Sequence, residues 1–236
     1  MQTENSAASQ QETESAFTPD GFYANDVDFR SGIVAFQSPL LMSTVAAQGG
    51  FVPPDCTGSF AYCDLGCGDG TTTNALAEVY PSGKFIGIDF NAGHIDSARE
   101  TAEKAGLDNV TFVHGAFSEI DTANLPEFDF VGMNGIYAWL EDGEVKAVHR
   151  LLENRLKPGG LFYVEYTSLP GKISVQPLWS LIQYLVPKQD NEDSRERAQR
   201  GLDMTEILAK RGMTYLNAHR PAASGAQSYI RGRRKN

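Results

Sequence analysis

Nine residues, Cys63-Asp64-Leu65-Gly66-Cys67-Gly68-Asp69-Gly70-Thr71, constrain this chain more than any other stretch. The apolar segment Phe60 to Cys63 reads as a strand, and Thr72 to Tyr80 reads as a helix. Three glycines therefore fall on a tight strand-to-helix turn, where the backbone must bend sharply and a ligand must approach it closely. The helix behind the turn aims its unpaired N–H groups and positive dipole end into the same space. A nucleotide-type pocket at the carboxyl end of a strand follows.

The spacing narrows the ligand. It is Gly-x-Gly-x-Gly, not the Gly-x-Gly-x-x-Gly of dinucleotide sites. Asp64 and Asp69 flank the turn, and carboxylates so placed repel a pyrophosphate. They suit a ligand with a cationic group, such as an ammonium or a sulfonium. S-adenosylmethionine carries both, and a carboxylate for the helix N-terminus. Lys84-Phe85-Ile86-Gly87-Ile88-Asp89 is a second signal, an apolar strand ending in an acid about 20 residues on, where a ribose partner is expected. An acid after a strand is often only a helix cap, but Asn91 can cap the helix that begins near Ala92.

Composition closes other options. With 41% hydrophobic and 21% charged residues the chain fits a soluble globular protein, and no apolar run approaches the ~20 residues of a membrane span. Met1 to Asp20 lacks the apolar core of a secretory signal. Cys56, Cys63 and Cys67 form no zinc-like pairs, and His94, His114, His149 and His219 are scattered, so no metal site is expected and a reducing, cytoplasmic location is. The net charge of −10 argues against nucleic acid as a partner, leaving Arg231-Gly232-Arg233-Arg234-Lys235 as a solvated basic terminus.

Along the chain, residues 1–20 have the composition of a disordered tail, 21–172 form the core, 173–218 a helical extension and 219–236 a basic tail. Pro39 to Gln48 reads as a helix stopped by Gly49-Gly50. Strands are expected at Phe60–Cys63, Lys84–Ile88, Val110–His114, Phe128–Met133 and Leu161–Tyr166. Helices alternate with them at Thr72–Tyr80, Ala92–Ala105 and Asp142–Leu156, the last stopped by Lys157-Pro158-Gly159-Gly160. Leu178–Val186 and Glu192–Arg211 read as further helices. The fold class is α/β, a mostly parallel Rossmann-like sheet with helices on both faces and extra helices at the C-terminus.

These residues resemble class I S-adenosylmethionine-dependent methyltransferases. Cys63 to Gly68 resembles the family's first motif, Phe85 to Asp89 its second, Phe128-Asp129-Phe130 the fourth-strand motif and Leu156 to Leu161 the loop before the fifth strand. Asn134-Gly135-Ile136-Tyr137-Ala138-Trp139 and Tyr166-Thr167-Ser168-Leu169-Pro170-Gly171 are similar to bacterial methyltransferases with an appended methyltransferase regulatory domain, some of which methylate protein lysines. Members of that group continue into a large C-terminal domain, which this sequence is expected to lack. The acid often found near the adenine amine is replaced by Ala116, so that contact is expected from Ser118, a backbone group or water, and no sixth or seventh strand is evident.

The resemblance and the chemistry together assign roles. Asp64, Gly66 and Cys67 belong to the turn around the amino acid part of the cofactor, while Gly68 and Gly70 let the backbone approach. Asp89 accepts from the ribose hydroxyls. Phe90, Ala116 and Phe117 border the adenine, though core packing suits Phe117 equally. Asn134 lies near the sulfonium methyl and, with Tyr137 and Tyr166, forms the candidate catalytic set. Trp139 is a further acceptor-side candidate or a lid residue, His114 a minor candidate and His149 a surface or packing histidine. No Asn-Pro-Pro-Tyr-like segment follows the fourth strand, which argues against exocyclic base amines and glutamine amides as acceptors. The implied activity is methyl transfer to a small molecule or a protein side chain. The alternatives are a non-catalytic cofactor-binding subunit that needs a partner and an NAD-dependent dehydrogenase.

Overall fold

The computed structural model describes residues 32–171, 173, 176–189, 192 and 194–218. The tails expected at 1–20 and 219–236 lie outside the described residues. Helix α1 (Pro39–Gln48) precedes β1 (Ala61–Leu65), α2 (Thr71–Val79), β2 (Lys84–Asp89), α3 (Ala92–Ala105), β3 (Val110–His114), β4 (Phe128–Asn134), α4 (Asp142–Arg155) and β5 (Leu156–Glu165). Three helices follow, α5 (Gln176–Leu185), α6 (Ser194–Lys210) and α7 (Thr214–Ala218), the last without a counterpart in the sequence reading. Among the described residues the sheet has five strands in the order β3-β2-β1-β4-β5, and every pairing is parallel.

Strand register sorts the core into two layers. Tyr62 lies level with Phe85 and Phe130, and these rings pack with Met42 of α1 and Leu76 and Ala77 of α2. One residue along, Cys63 lies level with Ile86 and Val131, on the face that Ala147, Val148 and Leu151 of α4 cover. Period-2 alternation in a strand buried on both faces explains why the strands read as continuous apolar runs. Each fully buried Phe contributes roughly 1.5–3 kcal/mol to that core.

One feature of the sheet departs from the sequence reading. Lys157-Pro158-Gly159-Gly160 is not a loop outside the sheet. Strand β5 already begins at Leu156, which pairs with Phe128, and the pairing resumes at Phe130 with Leu161 across an irregularity. Asp129 anchors this bulge, accepting from Lys157 Nζ at 2.9 and 3.0 Å and from Ala61 N at 2.8 Å. The bulge therefore ties together the starts of β1, β4 and β5, which is why the proline and glycines there do not end the strand. Sixth and seventh strands do not occur among the described residues. No described helix is long and apolar enough to cross a membrane.

Two residues beyond Tyr62 and on its face of the sheet, Asp64 lies between Gly87 and Gly132. The two glycines, on the strands either side of β1, leave room at that level of the sheet, and neighbouring side chains fill it. A Cβ on Gly132 would overlap the Tyr62 hydroxyl and come within 2.6 Å of Gln37 Nε2. Gly132→Ala is expected to destabilise the fold by about 1–3 kcal/mol, the scale of an overpacked core. Urea unfolding checks it, and an unchanged midpoint would show that the packing there is slack.

Candidate active site

The turn between β1 and α2 is bolted to the end of β2. Gly66 N and Cys67 N donate to Ile88 O at 2.8 and 3.1 Å, and Gly68 N donates to Asp89 Oδ2 at 2.9 Å. Gly68 has φ +55°, and a Cβ built there meets nothing within 4 Å, so the backbone faces open space as a ligand cradle requires. Gly70 differs. Its Cβ would lie 2.5 Å from Ala98 Cβ and 2.9 Å from the Phe112 ring, so this glycine serves the contact of α2 with α3 and β3 rather than an approaching ligand. That corrects the role expected for it.

Asp89 is buried, and two backbone donors orient its carboxylate. Gly68 N binds Oδ2, while Asn91 N binds Oδ1 at 2.9 Å. Each oxygen keeps acceptor capacity. Asn91 Oδ1 accepts from His94 N at 3.2 Å and caps α3 as expected, leaving Asp89 for the pocket. His94 Nδ1 lies 3.7 Å from Asp89 Oδ1.

Asp89 opens into a cavity of about 520 Å³, counting the space continuous with solvent. Its lining comes from the carboxyl ends of four adjacent strands. Gly66 follows β1, Phe90 follows β2, Ala116 and Phe117 follow β3, and Ile136, Trp139 and Leu140 follow β4. Glu141 and Glu144 at the start of α4 complete it. An apolar lining with few polar groups is typical of small-molecule sites. Sequence reasoning placed Gly66, Asp89, Phe90, Ala116 and Phe117 here, and the structure brings those five together. It missed Ile136, Leu140, Glu141 and Glu144, because nothing in their spacing marks them and only the fold carries α4 to the β3 side. Glu144 reaches that side directly, accepting from Ser118 N at 3.3 Å.

Asp64, expected to supply charge to the cofactor, is not part of the lining. It is buried beneath the turn, and both its oxygens are engaged, Oδ1 by Gln37 Nε2 at 2.8 Å and Oδ2 by Thr73 Oγ1 at 2.6 Å. Burial raises its carboxyl to a pKa of about 6; the Thr73 and Gln37 hydrogen bonds pull it down and the nearby Asp89 charge pushes it up. The sequence reading missed Gln37, which a short 3-10 turn (Ala35–Gln37) delivers from upstream of β1. Thr72 ties the same upstream segment to α2, accepting from Val34 N at 3.0 Å and donating to Gly32 O at 3.2 Å. Cys67 also stays outside the lining, and a Cβ on Gly87 would lie 2.9 Å from its sulfur. Burial holds the Cys63 and Cys67 thiols well above their usual range, so neither furnishes a thiolate.

None of the three expected catalytic residues is in the lining; Tyr137 and Tyr166 meet each other, while Asn134 has a different partner. The Tyr137 and Tyr166 rings have centroids 5.4 Å apart, and the Tyr137 hydroxyl shares a 3.0 Å hydrogen bond with His149 Nε2. The exposed His149 thus belongs to the aromatic group at the β4 and β5 ends, a link its position in sequence did not suggest. Asn134, the last residue of β4, accepts from the Tyr163 hydroxyl at 3.2 Å through Oδ1. His114 Nε2 lies 2.9 Å from Phe90 O, outside the lining.

Comparison with known proteins follows the same lines. Residues 57–211 match the family model described as "Methyltransferase domain". An uncharacterized protein of Synechocystis sp. is 34% identical over 194 residues, 82% of this chain and 38% of that protein. The trans-aconitate 2-methyltransferase of Rhodopseudomonas palustris is 27% identical over 161 residues, 68% of this chain and 56% of the enzyme. In fold, the chain is similar to PKMT2 from Rickettsia typhi in complex with AdoHcy, with a TM-score of 0.68 and 22% identity over 83% of this chain and 38% of that one. The chain thus spans well under two thirds of the length of these relatives.

The raised Asp64 carboxyl makes a signed prediction. Between its ordinary value of 3.8 and the folded value of about 6, the native state holds a proton that the unfolded chain has released. Stability contributed by this group is therefore full below the unfolded value and declines as pH rises to about 6, by up to about 3 kcal/mol. Asp64→Asn removes the titration. The stability of the variant relative to the parent should rise across that window in urea unfolding at stepped pH, and parallel curves would refute it.

Proposed function

This chain belongs to the methyltransferase domain family, and on that premise we propose that it is an S-adenosylmethionine-dependent methyltransferase acting on a small-molecule or protein side-chain acceptor. The observation that carries the reading is the cavity in which an oriented, buried carboxylate, apolar walls and the glycine turn meet at the carboxyl ends of the strands. The residues fit the cofactor. Open space over Gly68 admits its amino acid part, Asp89 holds its ribose, and Phe90, Ala116 and Phe117 flank its base. The turn after β1 supplies backbone donors, with α2 starting at Thr71 behind it.

When bound, the cofactor supplies an activated methyl group on a sulfonium, and this chain's own residues position what receives it. Asn134, Tyr137 and Tyr166 at the ends of β4 and β5 are the acceptor-side set, with Asn134 held by Tyr163 and Tyr137 by His149. Aromatic faces favour a cation, which fits an amine-bearing acceptor, and Tyr166 is exposed enough to meet one arriving from solvent. Holding acceptor and methyl in line supplies much of the rate without a strong base. The three free cysteines fit a reducing compartment, the cytoplasm.

Two measurements test the reading. S-adenosylhomocysteine at about 100 times its dissociation constant should stabilise the protein by about 2.7 kcal/mol in thermal unfolding, while NAD should not; stabilisation by NAD alone overturns the assignment. Asp89→Ala should weaken S-adenosylhomocysteine binding by about 1.5–3 kcal/mol in calorimetric titration, the scale of hydrogen bonds to a charged group, and unchanged affinity removes Asp89 from the site. Turnover of cofactor with candidate amines separates an enzyme from a binding subunit.

A further inference from the structure

We infer that His94 is a positioning residue of the cofactor site: a proton on its ring draws Asp89 away from the ribose, so that mild acid weakens cofactor binding. The inference rests on the cofactor reading above. Asp89 has room for few partners, since a carboxylate offers about four acceptor positions, two on each oxygen. Gly68 N takes one on Oδ2 and Asn91 N takes one on Oδ1, which leaves one position on each oxygen for the two ribose hydroxyls. His94 stands beside Oδ1. Its Nδ1 lies 3.7 Å from that oxygen, too far for a hydrogen bond, and is buried with no hydrogen-bond partner among the described residues.

What that nitrogen does depends on its proton. With the ribose bound, both oxygens are saturated, and a neutral ring with its proton on Nε2 leaves them so. A protonated ring carries a donor on Nδ1, and closing the gap by about 1 Å gives a charge-assisted bond to Oδ1. His94 is the third residue of α3, and the first turn of a helix opposes a positive charge. The proton therefore gains its stabilisation from Asp89, the group the ribose needs, and the two compete for one oxygen. Imidazole is the side chain whose charge ordinarily changes near neutral pH. The other titratable groups about the pair are Asp64 beneath the turn, Asp69 within it and His114 at the end of β3, level with Asp89. On α3 itself, Asp96 pairs with Arg99 in the open. Burial raises Asp64 to a pKa of about 6, so it titrates in the same range and has to be told apart from His94. The competing account is that His94 only packs the start of α3, its backbone N–H held by Asn91 Oδ1. That contact is indifferent to the charge on the ring.

Calorimetric titration of the whole chain with S-adenosylhomocysteine, stepped between about pH 7.5 and 5.5, tests this against His94→Gln, whose side chain is polar but takes no proton. The parent should lose about 3- to 10-fold in affinity from the upper to the lower pH, and His94→Gln less than about twofold. Titration of the ligand and of Asp64 is common to both proteins and cancels in the comparison. A parent whose affinity stays flat, or a variant that keeps the parent's slope, overturns the inference while the cofactor reading stands. Failure of the parent to bind S-adenosylhomocysteine at any pH sinks both. Should the variant fail to fold, NMR of the histidine rings in the parent decides the matter. At about pH 6, adding S-adenosylhomocysteine should move the His94 signals toward their neutral-ring positions, and unmoved signals remove the competition.

Discussion

The N–H of Gly68 donating to Asp89 joins the two halves of the site, and the rest of the arrangement depends on it. It closes the glycine turn after β1 onto the acid that ends β2. With the Asn91 N–H on the other oxygen, it fixes the carboxylate before any ligand arrives. Preorganisation of this kind lowers the cost of binding, because the acceptor geometry is set by folding. Gly68 itself takes a left-handed backbone, which glycine adopts without steric cost.

Beneath that bond lies a second, buried layer. Asp64, Gln37, Thr73 and the glycine pair Gly87 and Gly132 form a polar plug in a sheet otherwise filled by aromatic rings. A buried carboxylate with both oxygens hydrogen-bonded supports the turn from below at an electrostatic cost, which its raised pKa records. The acid preceding the glycines is thus better understood as foundation than as counter-charge.

What the sequence disclosed divides along physical lines. The βα alternation, the parallel sheet and the Asp89 position were legible because they rest on local periodicity and on spacing within one βαβ unit. Phe90, Ala116 and Phe117 followed from the ends of strands already placed. Asp64 was misread because its residue type reports charge, whereas its burial is set by two glycines on neighbouring strands and a glutamine far upstream. The contacts of Glu144 and His149 were missed because each is set by where α4 lies against a distant segment, Ser118 for one and Tyr137 for the other. The bulge at Gly159-Gly160 looked like a stop because proline and glycine usually end elements, and only the Asp129 contacts show why the strand persists.

Gln37 carries one consequence beyond the site itself. The stretch shared with the methyltransferase domain family starts at residue 57, yet the amide that satisfies the acid under the glycine turn comes from before it, as does the Val34 N–H held by Thr72. The evolutionary module and the mechanical one therefore have different borders. A minimal domain cut where the shared sequence begins would strip the keystone from beneath its own binding loop.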